Sequence, residues 1–182
     1  MVRRTVTEDQ ESLWALGWFI AGRSRVRVGR WDGRKAKWQY STRDERDLTA
    51  EVPSAPAAVL LYNSQARCRT LVVDVDVPGA PGLELVHQVL ALLERCGAKV
   101  VVDRSPVGKH HVYVPLRDGL SVEESGALAK ALARRFPGVD PLPHTTGATS
   151  GCIRTPGSPY KDGSGYQELV TPLDTARRGL RS

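Results

Sequence analysis

Cysteine is scarce in this chain, and no two cysteines stand close together. The three present, Cys68, Cys96 and Cys152, form no Cys-x-x-Cys pair. Zinc knuckles and disulfide frameworks need cysteines at close or regular spacing, so the pattern indicates neither. We expect reduced thiols and an intracellular protein.

Long hydrophobic runs are also lacking. The longest mostly apolar stretch near the start, residues 13–21, is too short to span a bilayer. It follows Glu8, Asp9 and Glu11, whereas a secretory signal begins with basic residues. We therefore expect no membrane association and a cytoplasmic location.

Positive charge, in contrast, is plentiful and concentrated. The formal net charge is +6, and residues 23–46 alone hold nine Lys or Arg against three acids, with Trp31, Trp38 and Tyr40 among them. Aromatic faces stack bases while cations meet phosphates, so this segment suits single-stranded nucleic acid. An ordinary hairpin with solvated charges and half-buried tryptophans explains it equally well.

The apolar patterning predicts an α/β arrangement in one compact chain of 182 residues, of which 41% are hydrophobic. Residues 8–21 form a broad apolar segment that fits a helix or a strand, and residues 51–57 read as a connector. The sharper pattern that follows predicts strands over 58–62, 69–77, 98–103 and 111–116, and helices over 81–96 and 122–136. The last residues show no obvious closing element.

Two acids interrupt an otherwise apolar strand. Asp74 and Asp76 alternate with Val73, Val75 and Val77. Alternation along a strand places both carboxylates on one face and the valines on the buried face. Paired carboxylates repel one another unless a cation lies between them, so the pair indicates a divalent metal site. The alternative is two solvated acids at a strand end.

The loop before the fourth of these strands offers groups that hold phosphate. Ser105, Lys109 and the amides near Gly108 have this chemistry, although the Walker pattern is not present. On the strand that follows, His111 has the opposite parity to the apolar residues and is expected on the acids' side. His110 shares the parity of the valines and is expected to be packed.

A third group of polar residues lies in a Pro- and Gly-rich region after the second predicted helix. Asp140 would complete a three-carboxylate site, or it is simply a turn residue before Pro141. Three further side chains in this region would bind a triphosphate or a nucleic-acid strand: Arg154, Ser158 and Lys161.

The order of these motifs resembles the archaeo-eukaryotic primase superfamily. The motifs are Asp-x-Asp, then Ser-x-x-Gly-Lys-His-His-Val-Tyr, then Val-Asp and Ile-Arg-x-Pro-Gly-Ser-x-x-Lys. More narrowly, the chain looks like the primase-polymerase domains of phage and plasmid replication proteins, over about residues 58–170. The resemblance implies an α+β catalytic core with an RNA-recognition-motif-like antiparallel sheet flanked by helices. It also implies a small N-terminal α/β module, about residues 1–57, packed on that core within one catalytic domain.

The resemblance also implies the site. Two Mg²⁺ or Mn²⁺ ions would be held by Asp74, Asp76 and Asp140, and His111 would contact the phosphates of a nucleoside triphosphate, with Ser105 and Lys109 beside it. The doubled histidine departs from the family's usual single one, so His110 stays an alternative. Many larger primases also carry a zinc element that is not visible here, and the phage and plasmid type often lacks it.

The expected activity is metal-dependent joining of ribo- or deoxyribonucleotides on a single-stranded DNA template and primer. A helicase domain, in the same or a partner chain, would accompany it, in the host cytoplasm if a phage encodes the protein. One alternative is a non-catalytic binding module for single-stranded nucleic acid. Another is a rolling-circle-type nicking enzyme that would use Tyr160 or Tyr166 as nucleophile, but its metal-binding histidines sit two residues apart rather than adjacent.

Overall fold

The centre of the protein is an antiparallel sheet of five strands, in the order β11-β7-β8-β6-β9. A computed structural model describes residues 8–181. The strands of this sheet and the two long helices attached to it are β6 (Arg67–Val75), α3 (Gly79–Arg95), β7 (Val101–Arg104), β8 (His110–Ser121), α4 (Val122–Arg135), β9 (Val139–Asp140) and β11 (Glu168–Leu169).

The chain order of these elements confirms the predicted α+β core with an RNA-recognition-motif-like sheet. Strand, helix, two strands, helix and strand follow one another, and the first and third strands of the unit lie side by side in the middle of the sheet. Both helices pack on one face, where their apolar residues meet Val73, Val75 and Val112. The helices predicted over 81–96 and 122–136 are thus confirmed within two residues at each end.

A second antiparallel sheet, here called the N-terminal sheet, has the strand order β10-β5-β1-β4 and covers the opposite face of the first. One buried cluster joins Val26, Val59 and Ile153 of the second sheet to Val72 and Tyr113 of the first. The strands and the shorter elements around it are β1 (Arg25–Val28), β4 (Glu45–Asp47), β5 (Ala57–Leu60), β10 (Cys152–Arg154), α1 (Glu8–Trp14), α2 (Gly17–Ile20), a 3₁₀ turn (Thr42–Asp44), α5 (Leu142–Thr145) and the β2–β3 hairpin (Arg30–Asp32 and Lys37–Gln39).

The predicted boundary between the two parts at residue 57 needs correction. β5 pairs with β1 on one side and with β10 on the other, so it belongs to the N-terminal sheet rather than to the catalytic core. All four residues of β5 are buried, as expected for a strand in the middle of a sheet that is covered on both faces. The N-terminal module therefore contains a strand contributed by residues 152–154.

The C-terminal segment also differs from the expectation that it lacks a closing element. α6 (Leu173–Leu180) follows β11 and buries Ala176 and Leu180 in the cluster between the sheets. Its short apolar pattern is interrupted by Arg177 and Arg178, which hid it in the sequence. Among the described residues, the helices are all too short or too polar to cross a membrane.

A buried histidine completes the edge of β6. β9 is only two residues long, so the backbone N–H of Val72 has no strand beside it and donates instead to Nε2 of His144, at 2.9 Å. The other ring nitrogen lies 2.9 Å from the hydroxyl of Tyr62, which lies 2.7 Å from that of Ser125. Burial lowers the pKa of His144 to about 4.

This burial predicts a pH-dependent stability. Between pH 6.5 and 4 the unfolded chain binds a proton at residue 144 and the folded chain does not. The contribution of neutral His144 to the free energy of unfolding is therefore complete above pH 6.5 and is lost as the pH falls toward 4. Relative to His144→Gln, the free energy of unfolding of the wild type should fall by about 3 kcal/mol over this interval. Urea denaturation at successive pH values measures it, and parallel curves for the two proteins would contradict it.

Candidate active site

Four titratable side chains form a row across four neighbouring strands. Strand pairing places Asp140 of β9 opposite Asp74 of β6, Asp74 opposite His111 of β8, and His111 opposite Asp103 of β7. Residues directly opposite in antiparallel strands project from the same face. The row lies on the face that meets the N-terminal sheet, at the end of the sheet where β6 finishes.

Valines on the other face of β6 hold this arrangement in place. Val73 and Val75 are fully buried against α3 and α4, which fixes the parity that directs Asp74 toward the N-terminal module. A shift of the strand by one residue would bury both aspartates and expose the valines. The predicted division of the strand into an apolar and an acidic face is confirmed for these residues.

Asp76 lies just beyond the end of β6 and is paired with a lysine. Its backbone N–H donates to the carbonyl of Gly138, at 2.9 Å, which continues the alignment with the chain before β9. Its half-exposed carboxylate accepts a hydrogen bond from Nζ of Lys109, at 2.7 Å. Lys109, predicted as a phosphate-binding residue, thus contacts an acid of the site directly.

The imidazole of His111 is held by a buried carboxylate. Its Nδ1 lies 3.1 Å from Oδ1 of Asp103, and its backbone N–H donates to the same oxygen, also at 3.1 Å. Asp103, which is fully buried, accepts further hydrogen bonds from Nε2 of Gln167, at 2.8 Å, and from the hydroxyl of Tyr113, at 2.5 Å. With Nδ1 engaged in this way, Nε2 of His111 faces Asp74, at 3.7 Å.

Burial and neighbouring charges have opposing effects on the pKa values of Asp74 and His111. Burial raises the pKa of Asp74, and the charges of Asp76 and Asp140 raise it further, against the lowering effects of His111 and Arg154. Burial by itself would lower the pKa of His111, but the neighbouring carboxylates of Asp103 and Asp74 outweigh it and raise the pKa. The site therefore favours a proton or another cation between its carboxylates.

Three cationic side chains, those of Arg154, Lys161 and Lys109, border the acids. Arg154 stacks over the ring of Tyr160, with 4.9 Å between its Cζ and the ring centroid, and within the described residues its buried Nη1 has no hydrogen-bond partner. Burial, followed by the charges of Arg154 and Lys109, lowers the pKa of Lys161. Positive charges that repel one another in this way form a natural binding place for a polyanion.

Two predicted phosphate-binding serines have structural roles instead. Ser105 is buried, and its hydroxyl accepts from the backbone N–H of Lys109, at 3.0 Å, which closes the β7–β8 turn. The hydroxyl of Ser158 both donates to and accepts from the backbone of Ala57, at 2.9 and 3.0 Å. Neither serine is placed for direct contact with a triphosphate, because both hydroxyls are buried and engaged.

Gly157 shows why the Ile-Arg-x-Pro-Gly-Ser-x-x-Lys motif requires a glycine before Ser158. Its φ of 80° lies in the left-handed region, and a Cβ there would come within 2.6 Å of backbone atoms of Trp14 and Gln10 in α1. Only glycine allows this approach. The Ile-Arg-x-Pro-Gly-Ser-x-x-Lys segment therefore combines structural residues with two cations, Arg154 and Lys161, that face the site.

Asp140 is both in the row and in a turn. Its Oδ1 accepts from the backbone N–H of Leu142, at 2.9 Å, as the turn interpretation predicts. Its strand position is nevertheless directly opposite Asp74. Across residues 8–181, no three His, Cys, Asp or Glu side chains are gathered closely enough to form a ready-made metal site. The three-carboxylate metal site stays a prediction. It requires Asp140 to leave the backbone N–H of Leu142, and Asp76 to leave Lys109, in favour of a metal ion.

The structure distinguishes the two adjacent histidines. His110 is buried on the other face of the sheet, where desolvation lowers its pKa, and its Nδ1 has no hydrogen-bond partner among the described residues. His111 is the histidine beside Asp74. Since the two rings point to opposite faces, they do not converge on a common ion.

Comparisons with solved structures place this fold among primase and polymerase domains. The catalytic domain of primase RepB′, in complex with initiator DNA, is similar at a TM-score of 0.57 and 15% identity, covering 96% of this chain and 95% of that one. The polymerase domain of Mycobacterium tuberculosis ligase D, in complex with DNA, is similar at 0.54 and 17%, covering 96% and 87%. A longer structure of primase RepB′ is similar at 0.58 and 15%, covering 94% of this chain and 62% of that one.

The chain thus has the primase-polymerase fold that the sequence motifs predicted. No family model matches the sequence, and no curated protein is significantly similar to it. At the identities observed, the likeness to these structures establishes the fold.

Asp103 and Gln167 are the site residues that the sequence interpretation missed. Asp103 follows Val101 and Val102 in β7, and an acid within an apolar strand was part of the signal that identified Asp74. Gln167 carries no comparable signal, because it reaches the site only through the fold of residues 155–168.

The Asp103 cluster leads to a stability prediction. Asp103→Asn keeps the side-chain shape but turns an amide NH₂ toward groups that themselves donate. We expect the free energy of unfolding to fall by about 3 kcal/mol, because buried donors lose their acceptor. Urea denaturation at pH 7 measures it. Asp118→Asn, an exposed aspartate, is the control and should change stability by less than about 0.5 kcal/mol; equal losses in the two variants would contradict the assignment.

Proposed function

We propose that this protein joins nucleotides on a nucleic-acid template by metal-dependent nucleotidyl transfer, as a DNA primase or polymerase. The row of Asp140, Asp74, His111 and Asp103, bordered by cations, is the observation that carries the proposal. The similar folds are those of a primase and of a polymerase domain. The direct experiment incubates the protein with labelled nucleoside triphosphates, an unprimed single-stranded template and Mg²⁺ or Mn²⁺, and detects short products.

The donor set of the row fits hard divalent cations. Mg²⁺ and Mn²⁺ prefer carboxylate oxygens, and the raised pKa of Asp74 indicates a cluster in which added positive charge is stabilising. Asp74 and Asp76 would hold the ions, with Asp140 joining if it leaves its turn hydrogen bond. When bound, such ions activate the attacking hydroxyl and neutralise the charge that develops on the phosphates.

Lys109 has a particular place in this proposal. Its ammonium donates a hydrogen bond to Oδ1 of Asp76, one of the two acids that would hold an ion. An ammonium beside these acids is suitably placed to contact a phosphate oxygen of the substrate.

The remaining cations would position the triphosphate. His111 has a raised pKa, and with Nδ1 directed to Asp103 it offers Nε2 as a donor. Arg154 offers a buried Nη1 that has no protein partner in the described part of the chain. Together with Lys161 they provide positive charge in one region, which would stabilise the negative charge on the phosphate oxygens in the transition state of phosphoryl transfer.

The β2–β3 hairpin is the surface we assign to the template near the site. Its Trp38 donates a hydrogen bond from Nε1 to the carbonyl of Lys161, at 2.9 Å, which joins the hairpin to the cationic border. Trp31, directly opposite Trp38, is 52% exposed, and Arg34 and Lys35 lie in the turn between the strands. An exposed ring among cations is suited to stacking a base.

The two alternative functions fit the structure less well. An RNA-recognition-type module binds through exposed aromatics on its sheet, but that face is covered here by the N-terminal sheet, and its Tyr113 is fully buried. A nicking enzyme needs histidines that converge on one metal, but His110 and His111 lie on opposite faces. Tyr160, one of its two candidate nucleophiles beside Tyr166, has the guanidinium of Arg154 over its ring.

The acids are the first test. Asp74→Asn combined with Asp76→Asn should abolish product formation, a loss of at least about 10³-fold, because the carboxylates that would hold the charge-neutralising metal ions are removed. The circular dichroism spectrum and the single-stranded DNA affinity measured without metal should stay close to those of the wild type. Synthesis of primers by this double variant would refute the proposal.

Trp31 is the second test. Trp31→Ala should weaken binding of single-stranded DNA by at least about fivefold, because one stacking contact is lost, while the salt dependence stays the same. Fluorescence anisotropy of a labelled oligonucleotide measures both quantities. Trp31→Phe, which keeps an aromatic face, is the matched control and should bind nearly as well as the wild type; equal losses in the two variants would argue against stacking.

A further inference from the structure

A cleft of about 610 Å³ lies beside the central sheet, away from the row of the candidate active site. α2, the beginning of β6, the middle of β8 and the residues at the end of α6 form its walls. Its basic and aromatic lining residues are Arg67, Arg69, Arg117, Arg181, Trp18 and Phe19.

This cleft is separate from the candidate active site. Arg69 precedes Asp74 by five residues on the same strand, which corresponds to about 16 Å at 3.3 Å per residue. None of the residues that line the cleft belongs to the row or to its cationic border. A ligand in the cleft would therefore not occupy the place of an incoming nucleotide.

The cleft is positively charged, and part of that charge is held in position. None of the described residues that line it is acidic. The Nη2 of Arg67 donates to the carbonyls of Asp118 and Gly119, at 3.1 and 2.9 Å. The guanidinium of Arg181 lies 4.9 Å from the centre of the Phe19 ring. Guanidinium groups fixed in this way lose little conformational freedom when they bind a phosphate.

An exposed tryptophan stands among these arginines. Trp18 is 43% exposed, whereas Trp14, one turn earlier in the chain, is fully buried in the core between the sheets. Part of the Trp18 ring is therefore accessible to a ligand. A flat aromatic surface next to guanidinium groups matches the alternation of base and phosphate along a single strand of nucleic acid.

We propose that this cleft binds a segment of single-stranded nucleic acid, with its phosphates on the arginines and a base against Trp18. The proposal goes beyond the proposed function, because the cleft would hold a strand whether or not the row performs chemistry. Long strands would reach both the cleft and the β2–β3 hairpin, and short ones only one of them. Affinity should therefore rise with strand length, since two linked contacts bind more tightly than either one.

The test measures binding of labelled oligothymidylates of increasing length by fluorescence anisotropy, without metal or nucleotides. In Arg69→Gln combined with Arg117→Gln, the gain in affinity for long strands should be lost. The slope of log affinity against log salt should decrease by about 1.4, because two phosphate contacts at about 0.7 each disappear. Arg69→Lys with Arg117→Lys keeps the charges and should retain most of the slope.

Controls separate this cleft from general positive charge. Arg95→Gln combined with Arg134→Gln removes the same charge from α3 and α4 on the other side of the central sheet and should leave length dependence unchanged. Trp18→Leu should weaken long strands at least about fivefold with an unchanged salt slope, and Trp18→Phe should restore binding.

Three results would overturn the proposal. The first is wild-type affinity for long strands in the Arg69 and Arg117 double glutamine variant, with its fold confirmed by circular dichroism. The second is an equal loss in the Arg95 and Arg134 control. The third is a wild-type affinity that does not rise with the length of the oligothymidylate. Because catalysis is not measured, failure here is distinct from failure of the proposed nucleotidyl transfer.

Discussion

The alignment of β9, β6, β8 and β7 is the constraint on which the candidate site depends. Each acid or histidine of the row comes from a different strand, and only the antiparallel register brings them to one line. Valines on the reverse face prevent a slip of one residue, because any slip would exchange the buried and polar faces. The apolar packing against α3 and α4 therefore positions polar side chains that it never touches.

Within the row, Asp103 is the residue that fixes the orientation and the charge of His111. A buried carboxylate is costly unless donors surround it, and here Tyr113, Gln167 and both a ring and a backbone nitrogen of His111 do so. This arrangement fixes the ring orientation and raises the pKa of His111. The same interaction thus contributes to the core and directs Nε2 toward Asp74.

The packing of the N-terminal sheet decides what the central sheet is able to bind. By covering the face that an RNA-recognition module leaves open, it removes that face from direct contact with bases. The acids with their cationic border and the arginine-lined cleft are accessible instead. The nucleic-acid strand that we propose would contact these two regions and not the surface of the sheet.

The sequence by itself determined the long elements, the parity of Asp74 and His111, and the packed position of His110, because each depends on local periodicity and on burial of valines. It also suggested the fold, through the order of short motifs. Only the tertiary structure decided that Ser105 and Ser158 are structural, that Lys109 pairs with Asp76, and that Asp103, Gln167 and His144 matter. Those roles arise from contacts between segments distant in the chain, and no local pattern records which buried donor will meet which acceptor.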